Sequence, residues 1–192
     1  MLQTDLSDYD NNNWYRPKSP VRRALWIIIS LFFFQNSLPI PKSLKALILK
    51  IFGAKIGKKI TIKPNVTIKY PWLLSIGNHS WIGENVWIDN LCGVKIGANA
   101  CISQGAMLLT GSHDYTKTTF DLIVGEITIE DGVWIGAKAI VCPGITCESH
   151  SVLAVGSVAT KKLEAFKVYQ GNPAEIRRIR VIKKNNDSIQ TL

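Results

Sequence analysis

The chain reads KIGANACISQGAMLL over residues 95–109, and Ile96, Ile102 and Leu108 within it are six positions apart. The same spacing extends through most of the chain, where its further members are Ile56, Ile62, Ile68, Ile76, Ile82, Ile88, Ile129, Ile135, Val141, Cys147, Leu153 and Ala159. Neither a helix with a period of 3.6 nor an alternating hairpin produces a repeat of six. This repeat therefore indicates a fold built from stacked six-residue units.

Each six-residue unit contains its own turn chemistry. Gly97 follows the aliphatic Ile96, Ala100 stands four positions after it, and Asn99 lies between them. Asn and Gly favour the left-handed backbone conformation that a sharp corner requires. One unit is then a short strand and a turn, and three units form one triangular coil. We predict an all-β solenoid, a parallel β-helix of hexapeptide repeats, over residues 54–163.

The register is interrupted at three places. The spacing lengthens to eight twice and to twenty-one once, at the pairs Ile68–Ile76, Ile88–Ile96 and Leu108–Ile129. The long interruption places about fifteen residues, roughly 110–126, outside the coil, and it contains TGSHDY from Thr110 to Tyr115. Insertions into a solenoid collect on one face, which is often the binding face.

Residues 1–53 form an N-terminal region of a different kind. Residues 1–20 are polar, and we expect an arm that wraps a neighbouring subunit or stays mobile. Residues 21–35 are apolar over a stretch too short to span a bilayer, and residues 42–52 have the pattern of an amphipathic helix. Two interpretations of 21–35 are open: a helix that caps the end of the solenoid, or an interfacial helix on the inner membrane leaflet.

Residues 164–192 are predicted to contain a basic helix and a polar tail. Asn172 suits an N-cap and Pro173 suits the first helical position, which together predict a helix over 173–184. The charge run in this segment is either a solvated face or a phosphate or lipid-headgroup site; it comprises Arg177, Arg178, Arg180, Lys183 and Lys184.

Composition narrows the range of partners. The formal net charge is +9 and the isoelectric point is about 9.5, which favours a polyanionic partner such as a phosphate-bearing cofactor or an anionic membrane. RNA-binding signatures are absent, so we expect no nucleic-acid partner. The four cysteines form no CxxC pair, and we interpret them as reduced residues of a cytoplasmic protein.

Several short motifs resemble those of a known family. They are FGAKIGK (52–58), SWIG (80–83), Ser103-Gln104, TGSHDY, VWIG (133–136), PGI (143–145) and GNPA (171–174). With the repeat, they are similar to the hexapeptide-repeat O-acetyltransferases, such as the maltose, galactoside and serine acetyltransferases. The similarity is closest to the colanic acid biosynthesis acetyltransferase group, and it covers about residues 20–180.

The resemblance implies a left-handed β-helix, a homotrimer, an active site between neighbouring subunits and acetyl-CoA as the donor. The left hand rests on the resemblance alone, because parallel crossovers are right-handed as a rule. A trimer also has a physical motive, since flat solenoid faces would otherwise leave several tryptophans in water. These are Trp72, Trp81, Trp87 and Trp134.

Transfer of an acetyl group to a sugar hydroxyl requires a base that works near neutral pH, and histidine suits this task. His113, the only histidine of the insertion, matches the catalytic histidine of the family; the alternative is a loop histidine that caps a carbonyl. Asp114 is expected to orient the imidazole or to bind a sugar hydroxyl. The acceptor-binding Asn of the family falls on Gly83, so Asp89 and Asn90 are the predicted substitutes.

The expected cofactor residues also come from the resemblance. Trp134, Ala137, Val155 and Thr160 match positions beside acetyl-CoA, and Lys161 and Arg178 match cations near its 3′-phosphate. Glu175 stands where the family has a second arginine, and Arg177 is the candidate replacement.

We therefore predict an acetyl-CoA-dependent O-acetyltransferase of polysaccharide biosynthesis, acting by direct transfer to a glycan or lipid-linked sugar. The expected location is cytoplasmic, with peripheral contact at the inner membrane face through residues 21–35. The alternative is a non-catalytic scaffold with the same fold. A carbonic-anhydrase-like zinc site is disfavoured because His79 and His150 fall at repeat corners far from His113, and no metal is expected.

Overall fold

The computed structural model describes residues 2–10 and 19–183. Its body is a stack of short parallel strands on three faces. Face A comprises β1 (Lys55–Ile56), β4 (Leu74–Ile76), β7 (Val94–Ile96), β12 (Ile127–Ile129) and β15 (Thr146–Cys147). Face B comprises β2 (Thr61–Ile62), β5 (Trp81–Ile82), β8 (Cys101–Ile102), β13 (Trp134–Ile135), β16 (Val152–Leu153), β18 (Lys167–Gln170) and β19 (Glu175–Ile179). Face C comprises β3 (Thr67–Ile68), β6 (Trp87–Asp89), β9 (Met107–Leu109), β14 (Ile140–Val141) and β17 (Val158–Ala159).

The repeated aliphatic residues form the core, as the sequence predicted. Ile82, Ile102 and Ile135 are in register on face B and are almost completely buried. The turns between strands contain Asn85 and Asn99 with φ of +57° and +55°. Asparagine tolerates this left-handed conformation better than most residues, which explains its place in the repeat.

Two helices, α1 (Pro20–Phe33) and α2 (Lys42–Ile51), cover the N-terminal end of the stack. Strand N–H groups donate to carbonyls of the following coil, so strand carbonyls of the first coil have no strand partner. Trp26 Nε1 donates to the Ile68 carbonyl at 2.8 Å, and Lys45 Nζ donates to the Lys63 carbonyl at 3.1 Å. Buried carbonyls need such partners, so the inner faces of both helices cap the solenoid.

The C-terminal helix predicted over 173–184 is wrong for the described part of that range. Strand β18 joins face B as a parallel neighbour of β16, and β19 folds back antiparallel onto β18. Asn172 and Pro173 form the tight connection between them rather than a helix start. Pairing with the open edge of β18 outweighed the local helix signal. Residue 184 and the polar tail lie outside the described residues.

The long insertion forms an antiparallel hairpin of β10 (Gly111–His113) and β11 (Leu122–Val124), which we call the insertion hairpin. It leaves the solenoid at the corner between face C and face A. Residues 2–10 lie against this hairpin of their own chain, where the Asp5 N–H donates to the Thr118 carbonyl at 2.9 Å. The rest of the predicted arm falls outside the described residues. Among the described helices, none has the length and apolar character needed to cross a membrane.

Candidate active site

The imidazole of His113 is held by a backbone hydrogen bond. His113 is the last residue of β10, and its Nδ1 lies 2.9 Å from the carbonyl oxygen of Phe120. A carbonyl oxygen only accepts hydrogen bonds, so Nδ1 carries the proton in this contact. The neutral ring then has its lone pair on Nε2, which is the arrangement that a general base requires.

Two aromatic side chains contact the same imidazole. The Phe120 ring stacks on it with centroids 4.4 Å apart and planes inclined by 10°. The Tyr9 ring lies 5.9 Å away at 56°, so residues 2–10 reach the predicted catalytic residue. These contacts restrict the rotation of the half-buried imidazole and hold it in one orientation.

Asp114 contributes to the turn after His113. Its carboxylate accepts hydrogen bonds from the backbone N–H and the hydroxyl of Thr116, and these bonds lower the pKa of Asp114. The imidazole is oriented instead by the hydrogen bond that its Nδ1 donates to the Phe120 carbonyl.

The predicted acceptor residues Asp89 and Asn90 differ sharply in their surroundings. Asn90 is fully buried; its amide donates to the Tyr70 carbonyl at 2.6 Å and its Oδ1 accepts from the N–H groups of Lys69 and Tyr70. These bonds assign Asn90 to the construction of the corner rather than to contact with a ligand. Asp89 lies 2.9 Å from Lys69 Nζ and lines a cavity of about 370 Å³ beside α1.

A larger groove of about 900 Å³ lies on face B, and we call it the face B groove. Four of the predicted cofactor residues line it: Trp134, Ala137, Val155 and Arg178. Ser103 and Gln104 line it as well, and Trp134 Nε1 donates to Ser103 Oγ at 2.9 Å. This bond fixes the indole plane, so half of the Trp134 surface faces the groove and the solvent.

The two remaining predicted cofactor residues lie outside the lining of this groove. Thr160 and Lys161 follow β17 at the end of face C, and both are exposed. Lys161 Nζ lies 2.9 Å from both carboxylate oxygens of Glu175. Glu175 therefore forms an ion pair with Lys161. Of the two predicted phosphate-binding residues, Lys161 and Arg178, only Arg178 lines the groove.

Within a single chain, His113 and the face B groove lie at different corners of the solenoid. The insertion hairpin starts after β9 at the corner between faces C and A. The groove lies along face B at its corner with face C, because Ser103, Ala137 and Val155 each follow a face B strand. Face C separates the two features.

The sequence did not predict the contacts of several residues that organise the site. Nothing in the sequence identifies Phe120 or Tyr9 as contacts of His113. Ser103 belongs to one of the quoted motifs, but its bond to Trp134 requires the register of β8 and β13. Arg180 donates to the carbonyls of Gly132 and His150, which anchors the chain after β19.

The remaining histidines and cysteines are structural. His79 and His150 both occupy turns with φ of +61°, as the sequence predicted. The four cysteines are unpaired, and burial raises the pKa of the Cys147 thiol to about 12. Within residues 2–10 and 19–183, no group of three His, Cys, Asp or Glu side chains converges as a metal site would.

Comparison with known proteins identifies the family. A family model described as the hexapeptide repeat of succinyl-transferase matches residues 73–109 and 126–161. The chain is 36% identical over 177 residues to the protein named "Putative colanic acid biosynthesis acetyltransferase WcaF" of Escherichia coli K12, covering 92% of this chain and 97% of that protein. It is 29% identical over 160 residues to galactoside O-acetyltransferase of the same species, covering 82% and 76%.

Solved structures show the same fold. A hexapeptide-repeat acetyltransferase of Vibrio cholerae, solved with acetyl coenzyme A, superposes with a TM-score of 0.77 at 22% identity, covering 90% of this chain and 93% of that one. A galactoside acetyltransferase in complex with coenzyme A gives 0.76 at 23% identity, covering 90% of each chain. The chain belongs to the hexapeptide-repeat acetyltransferases, and its solenoid is the left-handed β-helix of that fold.

Proposed function

We propose that this acetyltransferase transfers the acetyl group of acetyl-CoA to a sugar hydroxyl in polysaccharide biosynthesis, with His113 as the general base. The hydrogen bond from His113 Nδ1 to the Phe120 carbonyl is the observation that carries this proposal, because it leaves Nε2 free to accept a proton. The names of the two Escherichia coli relatives, which refer to colanic acid biosynthesis and to galactoside O-acetylation, support a glycan acceptor.

The proposed transfer is direct. The acceptor hydroxyl oxygen attacks the thioester carbonyl carbon while His113 Nε2 removes the hydroxyl proton. The tetrahedral intermediate then collapses, the carbon–sulfur bond breaks, and the imidazolium returns the proton to the leaving thiolate. The Phe120 carbonyl stabilises the positive charge that the ring carries between these two steps. No covalent acyl-enzyme is needed.

The face B groove is the proposed binding site of acetyl-CoA. Its lining combines the half-exposed indole of Trp134 and the small residues Ala137 and Val155 with the cation Arg178 at β19. Apolar walls suit the pantetheine chain, and a guanidinium suits the phosphates. Lys161 contributes to phosphate binding only if a phosphate displaces Glu175 from it.

The separation of His113 from the groove supports a homotrimer. In the proposed three-fold assembly, the insertion hairpin of one subunit lies beside the groove of the next, so each site contains parts of two chains. Trp81, Trp87 and Trp134 are each more than 40% exposed, and these solenoid faces gain apolar contact on assembly. A cytoplasmic location fits the donor, which is a cytoplasmic metabolite.

The acceptor is proposed to bind near the corner from which the insertion hairpin projects. The hydroxyl of Thr110, at the start of the hairpin, donates to the Asp89 carbonyl at 2.8 Å, which joins the hairpin to that corner. Asp89 and Asp114 are therefore the proposed acceptor contacts, since carboxylates bind sugar hydroxyls well. Asn90 does not belong to this set because its side chain is buried and makes three hydrogen bonds to the backbone.

The experiment that tests this function measures thiol release from acetyl-CoA with a panel of hexoses, oligosaccharides and a lipid-linked sugar. Release that requires an acceptor should fall about 10²–10⁴-fold in His113→Ala. His79→Ala is the matched control, because that histidine is exposed on a turn of the solenoid. Equal turnover in wild type and His113→Ala would remove His113 from the mechanism. Absence of both release and acetyl-CoA binding by calorimetry would favour a scaffold.

A further inference from the structure

The outer side of α1 is an exposed apolar stripe. Its inner side buries Trp26 and Ser30 against the solenoid. Val21, Leu25, Ile28 and Phe32 recur at intervals of four, three and four residues on the opposite side, and each is 52–68% exposed. A soluble monomer rarely leaves a continuous apolar surface of this kind without a partner.

The stripe continues onto α2. The Arg22 guanidinium lies 3.5 Å from the Ile51 carbonyl, so the end of α2 adjoins the start of α1. Leu47 and Ile51 are exposed on α2, at 54% and 67%. The end of the solenoid is therefore covered by a cap with two faces: one buries the core, and the other presents aliphatic and aromatic side chains to the surroundings. We call the outer face the cap surface.

The positive charge of the chain is concentrated in the same region. Residues 20–83 contain ten Lys and Arg and no Asp or Glu, a formal charge of +10. Residues 84–183 contain ten Lys and Arg and ten Asp and Glu, a formal charge of zero. The cap and the solenoid turns nearest to it thus differ from the rest of the solenoid in charge, and Arg23, Lys42 and Lys50 are exposed on the two helices.

We propose that the cap surface binds an anionic lipid bilayer, with α1 lying in the interface. An apolar stripe flanked by cations, without any carboxylate, matches the acyl boundary and the negative headgroups together. With 14 residues, α1 is about 21 Å long, which is too short for a span of about 30 Å and suits a helix that lies in the plane.

Two other occupants fit the observations less well. A second copy of the cap would bring two surfaces of the same large positive charge together, and like charges oppose such an interface. A nucleic acid would satisfy the cations but would leave Leu25, Ile28 and Phe32 without an apolar partner. The bilayer is the occupant that satisfies both the charge and the apolar stripe. This inference does not depend on the acetyl transfer.

The experiment is co-sedimentation of the full chain with vesicles. One set contains phosphatidylcholine alone, and the other contains about 30% phosphatidylglycerol, whose headgroup supplies the negative surface potential. The apolar variant is Leu25→Asn/Phe32→Asn, and its matched control is Ile182→Asn, because Ile182 is equally exposed near the opposite end of the chain. The charge variant is Arg23→Gln/Lys50→Gln, with Lys183→Gln as its control. Circular dichroism and acetyl-CoA binding check that each variant is folded.

Wild type should bind the anionic vesicles more strongly than the neutral ones, and binding should weaken as salt rises. The apolar variant should lose about 10- to 100-fold in partition coefficient, because two half-exposed side chains no longer enter the acyl boundary. Both controls should bind as wild type does. Absence of binding at low salt would overturn the proposal. If the apolar variant binds the vesicles as strongly as wild type does, and DNA binds with the same affinity as the vesicles, the surface recognises polyanions in general and the proposal is overturned. Assemblies larger than a trimer that the apolar variant dissolves would assign it to a second copy.

Discussion

Replacement of Trp134 by alanine tests whether the face B groove binds the donor. The indole is 48% exposed, and its Nε1 is bonded to Ser103 Oγ. A tryptophan presents up to about 250 Å², so roughly 120 Å² is available to a bound molecule. At about 25 cal/mol per Å², burial of this area by acetyl-CoA contributes at most about 3 kcal/mol. We therefore expect Trp134→Ala to raise the Kd of acetyl-CoA by about 30- to 100-fold.

The assay is titration calorimetry with acetyl-CoA, and Trp81→Ala is the matched control. Trp81 is on the same ladder of face B, since Trp81 pairs with Cys101 and Cys101 with Trp134. It is 44% exposed but lies outside the groove. The control should bind acetyl-CoA within about threefold of wild type, because only the groove residue contacts the donor. Analytical ultracentrifugation checks that both variants assemble as wild type does; with assembly intact, equal losses in both variants, or no loss in Trp134→Ala, would refute the placement of the donor in the face B groove.

Three further substitutions test other parts of the site. Phe120→Ala removes the ring stacked on His113 but keeps the carbonyl, so it should lower kcat by about tenfold without changing the KM of acetyl-CoA. Steady-state kinetics measure both constants, and an unchanged kcat would contradict the role of the ring. Asn90→Ala should reduce the free energy of unfolding by about 3 kcal/mol in urea titrations, because its buried backbone partners lose three hydrogen bonds; a loss below about 0.5 kcal/mol would contradict the corner role. Glu175→Gln should tighten acetyl-CoA but not dephospho-CoA if release of Lys161 frees a phosphate ligand; equal effects on both donors would exclude Lys161 from that role.

The repeat was sufficient to predict the body of the fold. Each coil has the same kind of residue at the same position. The repeated aliphatic position therefore predicts that Ile82, Ile102 and Ile135 stack in register and are buried together. A solenoid depends on contacts between neighbouring coils, which a fixed sequence spacing encodes directly. The two N-terminal helices were also predicted, α2 from an apolar stripe with helical spacing and α1 from an apolar run that is too short to span a bilayer.

The C-terminal strands were not predictable from local signals. Asn172 and Pro173 are good helix starters, and the residues after them are compatible with a helix. Their strand conformation depends on the free edge of β18, which exists only once the solenoid has formed. The local sequence of residues 172–184 contains no information about that edge.

Some residues of the candidate site could be predicted from the sequence. The sequence and its resemblance identified His113 and four residues that line the face B groove. The contacts that Phe120 and Tyr9 make with the His113 imidazole depend on how the hairpin folds back and where residues 2–10 lie. The identification of Asn90 failed because exposure was assumed at a corner that the structure buries.

In the proposed trimer, each site joins His113 of one subunit to the groove of the next. The most direct test mixes two inactive variants, His113→Ala and Ala137→Trp, in which the new indole fills the groove. The variants are unfolded together, refolded together and assayed for acetyl-CoA turnover. Random assembly gives about one site in four with both wild-type parts, so the mixture should regain about a quarter of wild-type activity. A mixture that forms hybrid trimers yet stays as inactive as its components would contradict the shared site.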